Sequence, residues 1–262
     1  MKATVFLGGG RITGALLAGL RLAKYPGPLL VHDRHPQKLR QLKKRYGVLV
    51  EPDLRKAIRQ AELVIIAVRP GSVAQLLGGI QSLNCPLWAV SLAAGVPLAE
   101  LRARLGPPVA WARAMPSPVC RSRHGLTAVV FDRSVPPPAR RKIKNLFSLL
   151  GQVVEIPESQ FDAFTVAYSA SHGYHAAATL AEAARKLGLR REIAFAAAAH
   201  ALADGILAWR EEDTSLEALL DEAQTPGGIA ATVMEGMNRA GYRKAVQQGL
   251  AAGVSRARRN RL

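Results

Sequence analysis

Apolar positions along the chain follow two rhythms, and the change from one to the other divides it. Ala3–Leu7 is an apolar β-type run closed by Gly8-Gly9-Gly10, and from Ile12 to Leu22 apolar residues recur at helical spacing. Strand, tight turn and helix follow in that order. Leu29–His32, set off by Pro26 and Pro28, reads as a second strand; a basic helix over Pro36–Tyr46 and a third strand at Val48–Val50 come next. After a helix at Leu54–Gln60, Leu63–Val68 is an unbroken Leu-Val-Ile-Ile-Ala-Val run, the pattern of a parallel strand covered on both faces. Helices near Val73–Ile80 and Leu98–Leu105 alternate with strands at Leu87–Leu92 and Val109–Ala114. Leu126–Phe131, a helix over Ala139–Leu150 and Gln152–Ile156 complete this half. Such alternation predicts an α/β domain on a doubly wound parallel sheet with right-handed crossovers.

Past Pro157 the rhythm is helical only. From Gln160 onward the chain is alanine-rich, without a further strand signal, and breaks fall around Gly188, Asp213 and Pro226–Gly228. We therefore expect an α/β domain over residues 1–157 and an all-helical domain over 158–262. A chain of 262 residues is long enough for two cores.

Composition narrows this picture. Hydrophobic residues make up 49% and charged residues 21%, so burial can offset chain entropy without staples, and disorder is not indicated. The two cysteines, Cys85 and Cys120, form no Cys-x-x-Cys pair, which points to a reducing, cytoplasmic compartment. The opening apolar run stops in glycines before reaching the length of an export signal. Ile193–Trp209 is interrupted by His200 and Asp204 and falls short of the ~20 residues a bilayer requires, so no membrane span is expected. The net charge of +17 raises nucleic acid as a partner. The basic residues are spread along the chain, with denser groups at Arg140–Lys144 and Arg256–Arg261, and aromatics do not interleave with them. That pattern is a basic solvated surface with a positive tail, and no nucleic acid partner is expected.

The glycines carry the first chemistry. Gly8-Gly9-Gly10-Arg11-Ile12-Thr13 supplies the first two glycines of G-x-G-x-x-G between the opening strand and its helix. There the backbone can approach a pyrophosphate, held by N–H groups at a helix N-terminus, so Gly8, Gly10, Arg11 and Ile12 are candidate contacts of a dinucleotide. Thr13 takes the third position, where a glycine or alanine is usual, and its β-branch crowds helix against strand. Asp33 follows the second strand, where an acid would accept from an adenosine ribose 2′-hydroxyl. Arg34, His35 and Lys38 follow and could instead meet a 2′-phosphate. The first feature favours NAD and the second NADP, so the cofactor is NADP or NAD.

Four further stretches extend the pattern. Ala67-Val68-Arg69-Pro70, Ser91-Leu92-Ala93-Ala94-Gly95-Val96, Arg113-Ala114-Met115-Pro116-Ser117 and Thr225-Pro226-Gly227-Gly228 occur in order after the glycine turn. Together they resemble the pyrroline-5-carboxylate reductase family, which reduces a cyclic imine to proline, over nearly the whole chain. The resemblance implies that Val68, Arg69 and Pro70 contact the cofactor, that Ala93, Ala94 and Gly95 lie near the nicotinamide, and that Met115 and Pro116 bring nicotinamide and substrate together. Ser117 stands where the family has asparagine. Thr225, Gly227 and Gly228 match the loop that cradles the substrate carboxylate, but Ile229 and Ala230 replace its two trailing threonines.

The family's Ser-Gly-Ser-Gly-Pro-Ala-Tyr segment corresponds to Tyr168-Ser169-Ala170-Ser171-His172-Gly173-Tyr174, without a fixed register. Tyr168, Ser171, His172 and Tyr174 are thus candidate proton donors, His172 first. His172 and His175 stand three apart, yet no carboxylate or cysteine completes a metal site, and none is expected. The resemblance further implies a homodimer, with each active site between the N-terminal domain of one chain and helices of its partner. The reaction it implies is NAD(P)H-dependent reduction of the C=N bond of a small imine.

Overall fold

The computed structural model describes residues 2–80 and 86–260. Cys85 and the end of the basic tail, Arg261, lie outside these residues. By its contacts the chain separates into two compact units, residues 1–168 with 253–262, and residues 169–252. The α/β unit thus takes in α7 (Glu158–Ala167) and the last turns of α12 (Tyr242–Arg258), beyond the expected division at residue 157.

An eight-stranded sheet forms the first unit: β1 (Ala3–Leu7), β2 (Leu29–His32), β3 (Leu49–Val50), β4 (Ala61–Ile66), β5 (Leu87–Ser91), β6 (Val109–Pro116), β7 (Gly125–Phe131) and β8 (Gly151–Glu155). Their order is β3-β2-β1-β4-β5-β6-β7-β8. The first six run parallel in the Rossmann order, with the topological reversal between β1 and β4. The expected parallel sheet has one exception at β7, which pairs antiparallel with β6, while β8 is parallel to β7. The reason is the connection. Residues 117–124 hold only a short 3-10 turn, Pro118–Ser122, and fall short of the dozen or so residues that a parallel crossover needs.

Alternation along the inner strands sorts side chains into two cores. Val5, Leu7, Val64, Ile66 and Ala89 pack on one face with Ala57 and Ile58 of α3 (Leu54–Arg59), Val73 and Leu77 of α4 (Val73–Gly78), Leu98 and Leu101 of α5 (Leu98–Arg104) and Phe161 of α7. Phe6, Leu63, Ile65 and Val90 pack on the other with Leu16, Leu17 and Leu20 of α1 (Arg11–Leu22), Leu39 and Leu42 of α2 (Pro36–Tyr46) and Ile143, Leu146 and Phe147 of α6 (Pro137–Ser148). Each such Val, Leu, Ile or Phe side chain contributes about 1.5–3 kcal/mol by leaving water, which fixes strand register because a one-residue slip would exchange the two cores.

The second unit holds α8 (Ala170–Lys186), α9 (Arg191–Glu211), α10 (Leu216–Ala223), α11 (Ile229–Arg239) and the first part of α12. Its breaks coincide with those expected at Gly188, Asp213 and Pro226–Gly228. A further break at Ala240-Gly241 uses the positive φ of Gly241. Small residues let α8 and α9 approach, with Ala181, Ala194 and Ala198 buried between them. α9 is nonetheless long and apolar enough to cross a bilayer by length and composition, and 11% of its apolar window is buried. Ile193, Phe195, Ile206 and Leu207 stand exposed along it. A helix this apolar with so little of it covered requires a partner for its outer face.

Candidate active site

Parallel pairing brings the ends of five strands to one edge. Leu7 is in register with His32 and with Ile66, Ile66 with Ser91, and Ser91 with Arg113. The segments after β1, β2, β4, β5 and β6 therefore emerge together at the carboxyl edge, where open α/β sheets bind their ligands. Gly8, Gly10, Asp33, Val68, Ala93 and Met115, predicted separately, are thereby brought to one place.

The turn after β1 explains its glycines one by one. Gly8 has φ +109°, and a Cβ there would lie 2.7 Å from the Ala67 carbonyl oxygen and 3.0 Å from Val68 Cγ1. Only glycine lets β1 and the turn after β4 approach so closely. Gly10 differs. Its backbone is extended at φ −82°, and a Cβ would meet nothing within 4 Å, so open space lies over it. It precedes α1, which has neither a side-chain cap nor an acidic residue in its first turn. The positive end of that helix faces outward with its N–H groups available for an anion. The crowding expected at Thr13 is resolved by its buried hydroxyl, which donates to the Gly8 carbonyl and ties helix to turn.

Asp33 is turned inward. It is 8% exposed and accepts from the Gly9 N–H at 2.8 Å, the His35 N–H at 2.9 Å and the His35 ring Nδ1–H at 2.8 Å. Lys38 Nζ stands 3.9 Å away. Burial pushes its carboxyl up, but the donors from Gly9 and His35 together with Lys38 outweigh it, and the net effect holds it below the usual carboxylate range. The side chain thus braces the glycine turn, an arrangement that spacing alone did not reveal. Arg34 and Lys38 are exposed beside it, as is Arg11 at the start of α1.

At the other end of the edge, Ser91 Oγ accepts from the Ala93 N–H at 3.3 Å and sets the start of the Ala93-Ala94-Gly95 turn. Gly95 has φ +77°, and a Cβ on it would overlap the Ala257 carbonyl oxygen of α12. Asn260 Nδ2 donates to the Ala94 carbonyl at 3.3 Å. The end of the chain therefore seats this turn, a contact between residues 166 apart for which the sequence carried no local signal. Replacing Gly95 by alanine combines a positive-φ cost of about 1–2 kcal/mol with overpacking of about 1–3 kcal/mol. Thermal denaturation is expected to show a fall of several degrees.

Met115 is half-buried and Pro116 buried at the end of β6. Ser117 is 4% exposed, and its Oγ accepts from the Val119 N–H at 3.4 Å, starting the 3-10 turn. Tyr168 belongs to the first unit, where its hydroxyl accepts the Leu126 N–H of β7 at 2.7 Å. Cys120 is buried, and burial raises its thiol to about 12, which leaves it a packing residue.

The remaining candidates lie in the second unit. Ser171, His172 and Tyr174 are exposed in the first turns of α8, where Ser169 and Ser171 hydroxyls bond at 2.7 Å. Thr225, Gly227 and Gly228 form an exposed to half-buried turn before α11, shaped by the positive φ of Gly227 and by the Gly228 N–H donating to the Thr225 carbonyl at 2.9 Å.

Residues 4–95 match the family model for NADP oxidoreductases, coenzyme F420-dependent, and residues 158–260 match that for pyrroline-5-carboxylate reductase dimerisation. The pyrroline-5-carboxylate reductase of Synechocystis is 30% identical over 256 residues, covering 96% of this chain and 95% of that protein. The chain belongs to the pyrroline-5-carboxylate reductase family. The fold agrees: the reductase of Coxiella burnetii superposes with a TM-score of 0.87 at 24% identity, covering 100% of this chain and 99% of the other. A Plasmodium falciparum pyrroline carboxylate reductase with NADP bound gives 0.86 at 19% identity, covering 99% and 98%.

Family membership makes the chain an NAD(P)-dependent oxidoreductase with a dimerisation domain in its helical part. The exposed face of α9 lies within the matched dimerisation region, which answers the need for a partner noted above. Charge is divided unevenly between the units. Residues 1–168 with 253–262 hold 28 Lys and Arg against 9 Asp and Glu, a net +19, whereas residues 169–252 hold 8 against 10, a net −2. The whole positive field thus belongs to the unit with the glycine turn, where it draws in an anionic coenzyme.

Proposed function

We propose that the chain reduces the C=N bond of a small carboxylate-bearing imine, pyrroline-5-carboxylate or a related cyclic imine, with NADPH preferred over NADH. The open space over Gly10 at the uncapped start of α1 carries the reading, because nothing beyond its chain neighbours lies within 4 Å of a Cβ built there and no side chain caps the helix in place of an anion. The bound coenzyme would supply a hydride to the imine carbon. Backbone N–H groups from Gly10 to Ile12 hold the diphosphate, the Gly8 and Gly9 N–H groups being donated to His32 and Asp33, and Arg34 and Lys38 meet a 2′-phosphate, since Asp33 is engaged with Gly9 and His35. Val68 to Pro70, Ala93 to Gly95, Met115 and Pro116 border the nicotinamide end. In the homodimer, the Thr225–Gly228 turn, with the Gly227 N–H, seats the substrate carboxylate, and His172 is the first candidate proton donor, with Ser171 and Tyr174 behind it.

An imine that enters protonated needs positioning more than acid–base assistance. Cysteine usage supports a cytoplasmic location. Ser117, with its hydroxyl turned onto Val119, and the apolar Ile229-Ala230 favour as second reading a different imine substrate or a coenzyme-binding homologue without catalysis. A panel of cyclic and linear imines, followed by loss of nicotinamide absorbance, separates the readings. Turnover with a cyclic imino acid supports the first; tight NADPH binding with no turnover on any imine refutes it.

A further inference from the structure

Arg113 is the most deeply buried charge in the sheet unit among the described residues. It sits on β6 two residues before Met115, and its side chain is 2% exposed. Its guanidinium stacks on the Phe161 ring, 4.0 Å from the centroid. Nη1 donates to Glu158 Oε1 at 3.2 Å, while Nη2 is 3.6 Å from Asp162 Oδ1, beyond hydrogen-bond reach. Among the described residues, Nε, Nη2 and Asp162 Oδ1 have no hydrogen-bond partner. A buried charge left partly unsatisfied costs stability, and an aliphatic side chain of similar size would pack there more cheaply.

What the cluster gains is a connection. Glu158 Oε1 also accepts the Leu98 N–H at 2.7 Å, the first of α5 and three residues after Gly95. One carboxylate therefore joins the turn after β5, through Leu98, to the end of β6, through Arg113. Both lead into the segments that border the nicotinamide end, and both are held to α7, whose last residue, Ala167, precedes the boundary between the units.

We propose that Arg113, with Glu158 and Asp162, is a positioning residue that holds the Ala93–Gly95 turn and the Met115–Ser117 segment in mutual register for hydride transfer. This rests on the reductase reading only in naming the reaction; the coupling itself is a property of the chain without coenzyme. The adenosine and diphosphate anchors, on β1, β2 and α1, are independent of it.

The test compares wild type with Arg113→Met, Arg113→Lys and Asp162→Asn. Hydrogen exchange on the coenzyme-free chain is expected to show faster exchange confined to residues 93–98 and 114–118 in R113M, with β1, β2 and β4 unchanged. With an accepted imine, kcat is expected to fall at least about tenfold in R113M and less in D162N, with the NADPH Kd within about threefold of wild type. R113K, which keeps the charge and loses the fork, should fall between. If R113M loses protection evenly across the sheet, or keeps wild-type exchange at 93–98 and 114–118, the inference is overturned. A folded R113M with kcat within twofold of wild type overturns it as well. Should R113M fail to fold, R113K and D162N carry the same outcomes. Failure of wild type on every imine would refute the reductase reading and leave the exchange experiment to decide this one.

Discussion

Gly10→Val is expected to weaken NADPH binding by about a hundredfold while leaving the melting temperature nearly unchanged. The two effects separate because Gly10 differs from its neighbour. At Gly8 a side chain would strike the Ala67 carbonyl and the backbone has positive φ, so any substitution damages fold and site together. At Gly10 φ is −82° and, its two chain neighbours aside, no heavy atom lies within 4 Å of the added Cβ, so the folded chain has room for it. What a valine would occupy is the space through which a diphosphate reaches the α1 N–H groups. Losing one or two charge-assisted hydrogen bonds costs about 1.5–3 kcal/mol each, and 1.4 kcal/mol is a factor of ten in affinity. Fluorescence titration with NADPH beside a thermal melt checks both halves. Full affinity in G10V would place the diphosphate elsewhere.

Asp33→Ala is expected to weaken both coenzymes by a similar factor, roughly tenfold or more, since a buried brace acts through the turn that both share. An acid that bound the ribose directly would instead weaken NADH and spare or improve NADPH. The Asp33 carboxyl also sets a pH limit. Its folded-state value is depressed, so its contribution is fully present above the ordinary carboxylate value of about 4 and is lost as pH falls through the depressed one. Coenzyme affinity and stability should therefore show no Asp33-dependent change from neutral pH down to about 5 and decline below the ordinary value, an acid limb that D33A lacks. A shift in the NADH to NADPH affinity ratio on substitution would restore the ribose assignment.

The elements of the α/β half were legible because strand and helix periods differ and because Gly8-Gly9-Gly10 falls between one of each. Pro36–Tyr46 and Leu29–His32 agree with the structure to the residue. What was not legible depends on direction or distance. β7 reads as a strand in either orientation, and only the short 117–124 connection decides which. Asp33 occupies the position of a ribose ligand, yet the rotamer that turns it to Gly9 has no sequence signature. Gly95 was identified through its motif, whereas its steric reason, Ala257, lies at the far end of the chain. Tyr168 was grouped with Ser171, His172 and Tyr174 by adjacency, but a helix break at Ser169 leaves its hydroxyl on the β7 backbone. The Arg113–Glu158 pair joins a strand to a helix 45 residues on, and spacing could not announce it.

Calorimetric titration of the wild-type dimer with NADPH and with NADH tests whether the glycine turn and the start of α1 hold a coenzyme diphosphate. Saturable binding at one site per chain is expected, with NADPH the tighter. No detectable binding of either coenzyme would contradict it, because an open, uncapped helix end behind a glycine turn would then serve no diphosphate.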